Sequence, residues 1–416
     1  MALRIAFLVA DLSHSGGMAT VRRYARHLRE QEGMDVRFVV TAPKPGALPT
    51  ADHDVPVSSV AEAAAQTFDV AIATWWTTAY ALYELEAPRR LVFLQSLESR
   101  FYRTAEAADR LGALAVLDLP VDYIAVGTHM RRLLERLRPE ARCHVVPGGI
   151  DKAVFRPRED AARPAGPLRV LVEGQSTLWF KGVAEACAAV RGMREPATLT
   201  LVMADPSEAA GFEADRVVGG LSPPQMADLY GEHDVLLKLS RLEGLSLPPL
   251  EAMHVGVPCV LTPFTGSDDY ARHGENALIV GFDDHAGTVA ALDLVARDAA
   301  LRRRLAEGAL GTAASWPDAH ASCRAFADAL RRLWDDPPPA PDAALRRLAR
   351  GRRMAVELSR WRAAELTSAL ESCELALAEQ SELAEDRLAH LHELTSRPSY
   401  RAAYHAKRLM RRPDPR

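Results

Sequence analysis

The 416-residue sequence predicts an α/β protein built of two tandem, doubly wound, Rossmann-like domains with a long helical tail behind them. Three observations point there. Short apolar runs of strand length alternate with segments of helical spacing; the alternation breaks at a proline- and charge-rich stretch and then resumes; and a second proline cluster precedes a long Ala/Leu/Glu/Arg segment. Strands of a parallel sheet read as continuous apolar runs because helices cover both of its faces.

"LRIAFLVA" (3–10) is the first such run, and "GGMATVRRYARHLREQ" behind it has helical spacing at Val21, Tyr24, Ala25 and Leu28. This is strand, glycine loop, helix. "VRFVV", "DVAIATWW", "RLVFLQS", "DYIAVGT" and "CHVVPGG" continue the series and fill a first domain over 1–160. "RPREDAARPAGP" (156–167) lacks periodicity and reads as a linker. The second domain, 161–335, takes its strands from "LRVLVEG", "TLTLVMA", "DVLLKLS", "PCVLT" and "ALIVG". Its helices come from "GVAEACAAVRG", "HAGTVAALDLVARD" and "PDAHASCRAFADALRRLW". Two such sheets leave a cleft beyond the carboxyl ends of their strands, where open α/β sheets bind ligands.

Composition narrows the function. A chain that is 48% apolar and 25% charged is globular, and a net charge of -4 argues against a nucleic-acid partner. Cys143, Cys187, Cys259, Cys323 and Cys373 are odd in number and lack metal-ligand spacing, which suits a reducing compartment and gives no metal site. The apolar run Ile5 to Ala10 is too short for a secretory or membrane-spanning segment, so a cytoplasmic protein is expected.

The tail, 343–416, holds 15 basic and 10 acidic residues, a balance of +5 that leaves -9 on residues 1–342. Leu366, Leu370, Cys373 and Leu377, then Ala384, Leu388, Leu391 and Leu394, form a heptad-like seam interrupted at Gln380 and Arg387. Arg-rich bands at 343–362 and 397–416 flank an acidic one. Three readings stand: self-association through 343–396 as a coiled coil, attraction to an anionic membrane surface, and a solvated helix with no partner.

"SRLEGLSLPPLEAMHVGVPCV" (240–260) carries the chemistry. Glu243 follows the strand "DVLLKLS", and Pro248 or Pro249 suits the first turn of the next helix, which places Glu251 in that first turn. Both carboxylates then face the cleft. A carboxylate accepts two hydrogen bonds from a vicinal diol, the group that sugars and riboses present. The competing reading is that Glu251 complements the helix dipole while Glu243 sits on a solvated loop.

The stretch resembles the Glu-x(7)-Glu signature of the large family of retaining nucleotide-sugar glycosyltransferases with the glycosyltransferase-B fold; Ser240, Glu243, Gly244, Pro248, Glu251, Ala252, Met253, Gly256 and Pro258 match, and Cys259 replaces the usual valine. The resemblance implies that Glu243 lies beside the donor sugar and Glu251 holds the ribose hydroxyls. "VEGQSTLWFKGV" resembles the family's glycine-then-Lys-Gly segment, which points to Gly174, Lys181 and Gly182, with Lys181 neutralising the donor diphosphate. Only five of the 51 basic residues are lysines. Many relatives place an Arg just after the glycine; here Gln175 stands there. "HVVPGGIDKAVF" is similar to the family's interdomain stretch, with Gly148 where Asn is usual. "SHSGGMATV" resembles the glycine loop after the first strand, with Gly16 and Gly17 approaching an anion.

"DVAIATWWTTAYAL" and "LVFLQSLESRFYRT" resemble a subgroup that includes rhamnosyltransferases of bacterial surface glycans; Gln95, Glu98, Phe101 and Tyr102 match, and Ser96 stands in for an acid. Gln95 falls where other relatives carry an active-site His, so it suits a hydrogen-bonding role and not proton transfer. Trp75, Trp76 and Glu98 are acceptor-side candidates, although large aromatics at a strand end also serve packing. The implied reaction is sugar transfer with retention from a nucleoside-diphosphate donor, dTDP-rhamnose first with UDP and GDP sugars open, to a glycan or lipid-linked acceptor. Lys181 and the amides of Gly244, Leu245 and Ser246 would stabilise the leaving diphosphate, so neither cofactor nor metal is expected. An epimerase or phosphorylase on the same fold, and a non-catalytic scaffold using the tail, are the alternatives.

Overall fold

The computed structural model describes residues 2–12, 15–41, 54–103, 105–157 and 166–336, and within 361–387 all but 363, 378, 382 and 384–386. The chain divides into two compact units, Met1–Arg352 and Arg353–Arg416. The first unit contains two parallel sheets. In one, β1 (Arg4–Val9), β2 (Asp35–Val40), β3 (Val57–Ser59), β4 (Val70–Ala73), β5 (Arg89–Leu94), β6 (Asp122–Ala125) and β7 (Cys143–Val145) lie in the order β3-β2-β1-β4-β5-β6-β7. In the other, β8 (Leu168–Glu173), β9 (Ala197–Met203), β10 (Arg216–Gly219), β11 (Val235–Lys238), β12 (Cys259–Leu261) and β13 (Ala277–Ile279) run β10-β9-β8-β11-β12-β13.

Every apolar run read as a strand is one. β3 and β10 escape the pattern for a physical reason: each is the edge of its sheet, with the half-exposed sequences VSS and RVVG, so neither carries a continuous apolar run. Both sheets share one winding. The strand order reverses between β1 and β4 in the first and between β8 and β11 in the second, and a crevice opens at each of these points beyond the strand ends.

One boundary differs from the sequence reading. The helix α11 (Ala319–Asp335), assigned above to the domain 161–335, packs on the first sheet. Its apolar face at Cys323, Phe326, Ala327, Leu330 and Leu333 is buried there, with Phe326 stacked on Tyr24 at 4.4 Å and edge-on to Phe93 at 5.4 Å. The Tyr24 hydroxyl meets Ser322 Oγ at 2.8 Å. A fully buried Phe contributes about 2–3 kcal/mol, so α11 fastens the end of the second domain to the first.

In the second unit the described part of 361–387 is helical. Leu366, Leu370, Cys373 and Leu377 are exposed on it. Ala384, Leu388, Leu391 and Leu394, and the basic bands apart from Trp361 and Arg362, lie outside the described residues. Among the described residues no helix is long and apolar enough to cross a membrane.

Candidate active site

The residues singled out by sequence fall beyond β1, β4, β8 and β11, the strands that flank the two crevices, and beyond β5, the neighbour of β4. Gly16 and Gly17 are the first residues of α1 (Gly16–Glu30), which Ser15 caps, so they belong to the helix start and not to a free loop. Gln95 follows β5, and its Nε2 donates to the Thr74 carbonyl at 3.3 Å. A Cβ on Gly17 would lie 3.1 Å from Gln95 Oε1, and one on Gly244 would lie 1.8 Å from the Gln95 carbonyl oxygen. Gln95 therefore joins the glycine segment of its own domain to the Glu243 loop of the other.

After β8 the chain turns through Gly174, where a Cβ would meet Val183 at 2.8 Å, and through Gly182, which has φ +65° and sits against the Leu239 carbonyl. Only glycine takes that conformation with so close a neighbour. The turn lays Lys181 beside the end of β11. There Lys181 Nζ donates to both oxygens of Glu243, at 2.9 and 3.0 Å, and Ser240 Oγ donates to Oε1 at 2.8 Å.

A second ammonium lies underneath. Lys238, the last residue of β11, has a side chain 1% exposed against 22% for Lys181. Its Nζ is 3.6 Å from Glu243 Oε1 and donates to Glu173 at the carboxylate (2.5 Å) and the carbonyl (3.1 Å). The register explains the meeting: β8 and β11 pair in parallel with Leu237 beside Val172, so Lys238 stands next to Glu173. Burial alone would raise the pKa of Glu243. The Lys238 and Lys181 charges and the hydrogen bonds from Lys181 and Ser240 outweigh it and hold the carboxyl below its ordinary value. For Lys238 burial opposes the charge, and Glu173 and Glu243 more than compensate, so its pKa is raised.

Glu251 is the fifth residue of α8 (Leu247–His254) and so opens the second turn, not the first; the helix begins at Leu247 because Pro248 and Pro249 both fit its first turn. Its carboxylate accepts from the Tyr230 hydroxyl at 3.2 Å. Burial, and then the negative charge of Glu173, push its pKa up to about 7. The two acids of the motif thus lie in opposite electrostatic surroundings, one held ionised by two cations and the other close to neutrality. Between them Leu245 is buried, and Ser246, at φ +61°, has a buried Oγ with no hydrogen-bond partner.

On the first-domain side Trp76 is buried, its Nε1 donating to the Tyr102 hydroxyl at 2.8 Å. Glu98 accepts from the Trp76 backbone N–H at 2.6 Å at the start of α3 (Trp76–Ala81). Burial pushes the Glu98 pKa up to about 8 against that hydrogen bond. Trp75 is half-buried and stacks on Phe101 at 6.0 Å, and Phe101 stacks on Phe180 at 4.8 Å. This aromatic column crosses from the first domain to the residue before Lys181.

Sequence reasoning missed Lys238, Glu173, Tyr230 and the partnership of Phe101 with Phe180. A signal for Lys238 was present: one charge inside the apolar run "DVLLKLS" must be buried and paired. Among the described residues no group of three or more His, Cys, Asp or Glu side chains is placed to hold a metal ion.

Comparison with known proteins agrees with this architecture. Residues 207–311 match the family described as glycosyl transferases group 1. The chain is 26% identical over 203 residues to an MMP alpha-(1->4)-mannosyltransferase of Mycolicibacterium hassiacum, covering 46% of this chain and 44% of that relative. The chain thus aligns with less than half of that relative's length. Its fold is similar to that of sucrose-phosphate synthase from Thermosynechococcus elongatus (TM-score 0.67, 19% identity, 79% of this chain and 98% of the other). It is also similar to Anabaena HepE in complex with UDP and glucose (TM-score 0.64, 16% identity, 79% and 100%). The two-sheet body has the glycosyltransferase-B fold.

Proposed function

We propose that the chain is a group 1 glycosyltransferase that moves a sugar from a nucleoside-diphosphate donor, with retention, to a glycan or lipid-linked acceptor in the assembly of bacterial surface polysaccharide. The observation that carries this reading is the Lys181–Glu243 pair at the ends of the two strands where the second sheet reverses its order, with Glu251 on the helix that follows and Glu173 acting on both Lys238 and Glu251. Lys181 is the partly exposed cation of the pair and is suited to meet a diphosphate. Glu251 is suited to accept from a ribose diol, and Glu243 to face the donor sugar.

Transfer breaks the bond between the anomeric carbon and the diphosphate, and the charge that grows on the leaving oxygens is anionic. Lys181 and the backbone amides from Gly244 through Ser246 at the start of α8 would stabilise it, and Gly174 lets the chain come close to it. Gly16 and Gly17 at the start of α1, together with Gln95, would line the opposite wall. Trp75, Trp76 and Glu98 mark the side from which the acceptor would enter. In this reading the cations and amides supply the stabilisation, and no metal or cofactor is required. The HepE structure contains UDP and glucose, which favours a donor of this class; dTDP-rhamnose and GDP sugars belong in the same panel.

The reading places the enzyme in the cytoplasm, at the inner face of the membrane when the acceptor is lipid-linked. The tail would serve that placement through its basic bands, or would join copies through 343–396. Deletion of residues 337–416, followed by sizing and flotation on vesicles containing phosphatidylglycerol, separates the two roles. The function itself is tested by donor consumption with and without a glycan acceptor. Acceptor-dependent turnover that is lost in Lys181→Ala and Glu251→Ala supports it; turnover undiminished in both variants refutes it.

A further inference from the structure

The four-residue chain Glu173–Lys238–Glu243–Lys181 contains one ammonium more than Glu243 needs, and the two differ in access: Lys181 is partly exposed, while Lys238 is sealed beneath. This inference rests on the proposed function. We infer that Lys238 is a positioning residue that lets Lys181 turn from Glu243 to the donor diphosphate, because Lys238 stays behind as the cation of Glu243.

The argument is one of charge balance. Lys181 is engaged by both oxygens of Glu243. If a diphosphate drew Lys181 away and no other cation were present, Glu243 would be left as a buried, unpaired carboxylate, which is strongly unfavourable. With Lys238 Nζ 3.6 Å from Oε1 and Ser240 Oγ donating to the same atom, the carboxylate keeps a cation and a hydrogen bond. Glu173 holds Lys238 through two contacts, so that Lys238 does not itself reach the ligand. The two acids and two ammoniums cancel, which keeps the cluster neutral before the donor arrives. Among the described residues Glu251, Tyr230 and Tyr270 also act on members of this cluster, and Arg23 acts on Glu251; none replaces Lys238, because the first three carry no positive charge and Arg23 donates to the Gly149 carbonyl.

The test is the gain in affinity from a nucleoside monophosphate to its diphosphate, measured by calorimetry with UMP and UDP, GMP and GDP, and dTMP and dTDP. For the pair that wild type binds best, the diphosphate should bind at least about tenfold more tightly. Lys238→Met should abolish most of this gain while leaving monophosphate affinity within about threefold, since Lys181 then stays on Glu243. Because Lys238→Met leaves Glu173 unpaired and risks misfolding, Glu173→Gln/Lys238→Met, which removes one charge of each sign, should show the same loss. Glu173→Gln alone should retain the gain. A folded double variant with the wild-type gain overturns the inference and leaves the proposed function standing. Wild type that binds none of the six nucleotides overturns both.

Discussion

The carbonyl oxygen of Gln95 occupies the space that a side chain on Gly244 would need: a Cβ there would lie 1.8 Å from it. The contact is backbone against backbone, so neither side can give way by changing rotamer. It fixes how closely the Glu243 loop of one domain approaches the strand ends of the other. Gly244→Ala should therefore push the loop back and lower donor turnover by about 100-fold or more, as expected when reacting groups are displaced by an ångström. Turnover assays paired with a melting curve check this, since a folded variant with unchanged turnover would show that the approach is not needed.

Lys181 supplies the one partly exposed ammonium of the cluster. Lys181→Met should reduce kcat/KM for the donor by about 100- to 1,000-fold, the usual cost of one preorganised donor facing a developing negative charge. The fold should persist because Lys238 still neutralises Glu243. Steady-state kinetics with circular dichroism decide the matter.

Much of this was legible in advance, and the reasons are specific. β1, β8 and β11 bury both faces, so their apolar runs stand out, and the glycines and acids behind them mark the crevices by position alone. β3 and β10 were illegible because an edge strand needs no apolar run. The return of α11 to the first sheet was hidden because its apolar stripe shows that it is buried but not against what. Glu251 was placed one turn early because two adjacent prolines allow more than one helix start. Glu173 and Lys238 lie 65 positions apart, and only the register of two parallel strands brings them together.

The raised pKa of Glu251 gives a pH signature with opposite signs for stability and for binding. Its folded value of about 7 lies above the ordinary 4.5, so between these values the unfolded chain holds fewer protons than the folded one. Stability of the ligand-free protein should fall as pH rises through that window, by about 3 kcal/mol in total. Below the window Glu243 acts the other way: its depressed pKa means that stability is lost as the pH falls. Glu251→Gln should flatten the decline between pH 4.5 and 7 in denaturant melts. In the proposed role Glu251 binds the ribose diol as the carboxylate, so nucleotide affinity should climb about tenfold per pH unit up to pH 7 and then level off.

Phe180 ends the aromatic column and immediately precedes Lys181. It is buried, 4.8 Å from Phe101 in a stacked arrangement. Phe180→Ala should destabilise the protein by about 3–5 kcal/mol and loosen the turn that carries Lys181. Chemical denaturation gives the first quantity, and the KM for the donor gives the second. Phe180→Leu, which keeps apolar volume without the stack, should recover most of the stability.

The most direct measurement is thermal shift of wild type and Glu251→Gln against uridine, guanosine and thymidine mono- and diphosphates at pH 8. A bound nucleotide stabilises the fold in proportion to its affinity and concentration. One diphosphate should raise the melting temperature of wild type well above the rest, and Glu251→Gln should lose that rise. Equal rises in both proteins, or none in wild type with any nucleotide, would contradict a donor site built on Glu243, Glu251 and Lys181.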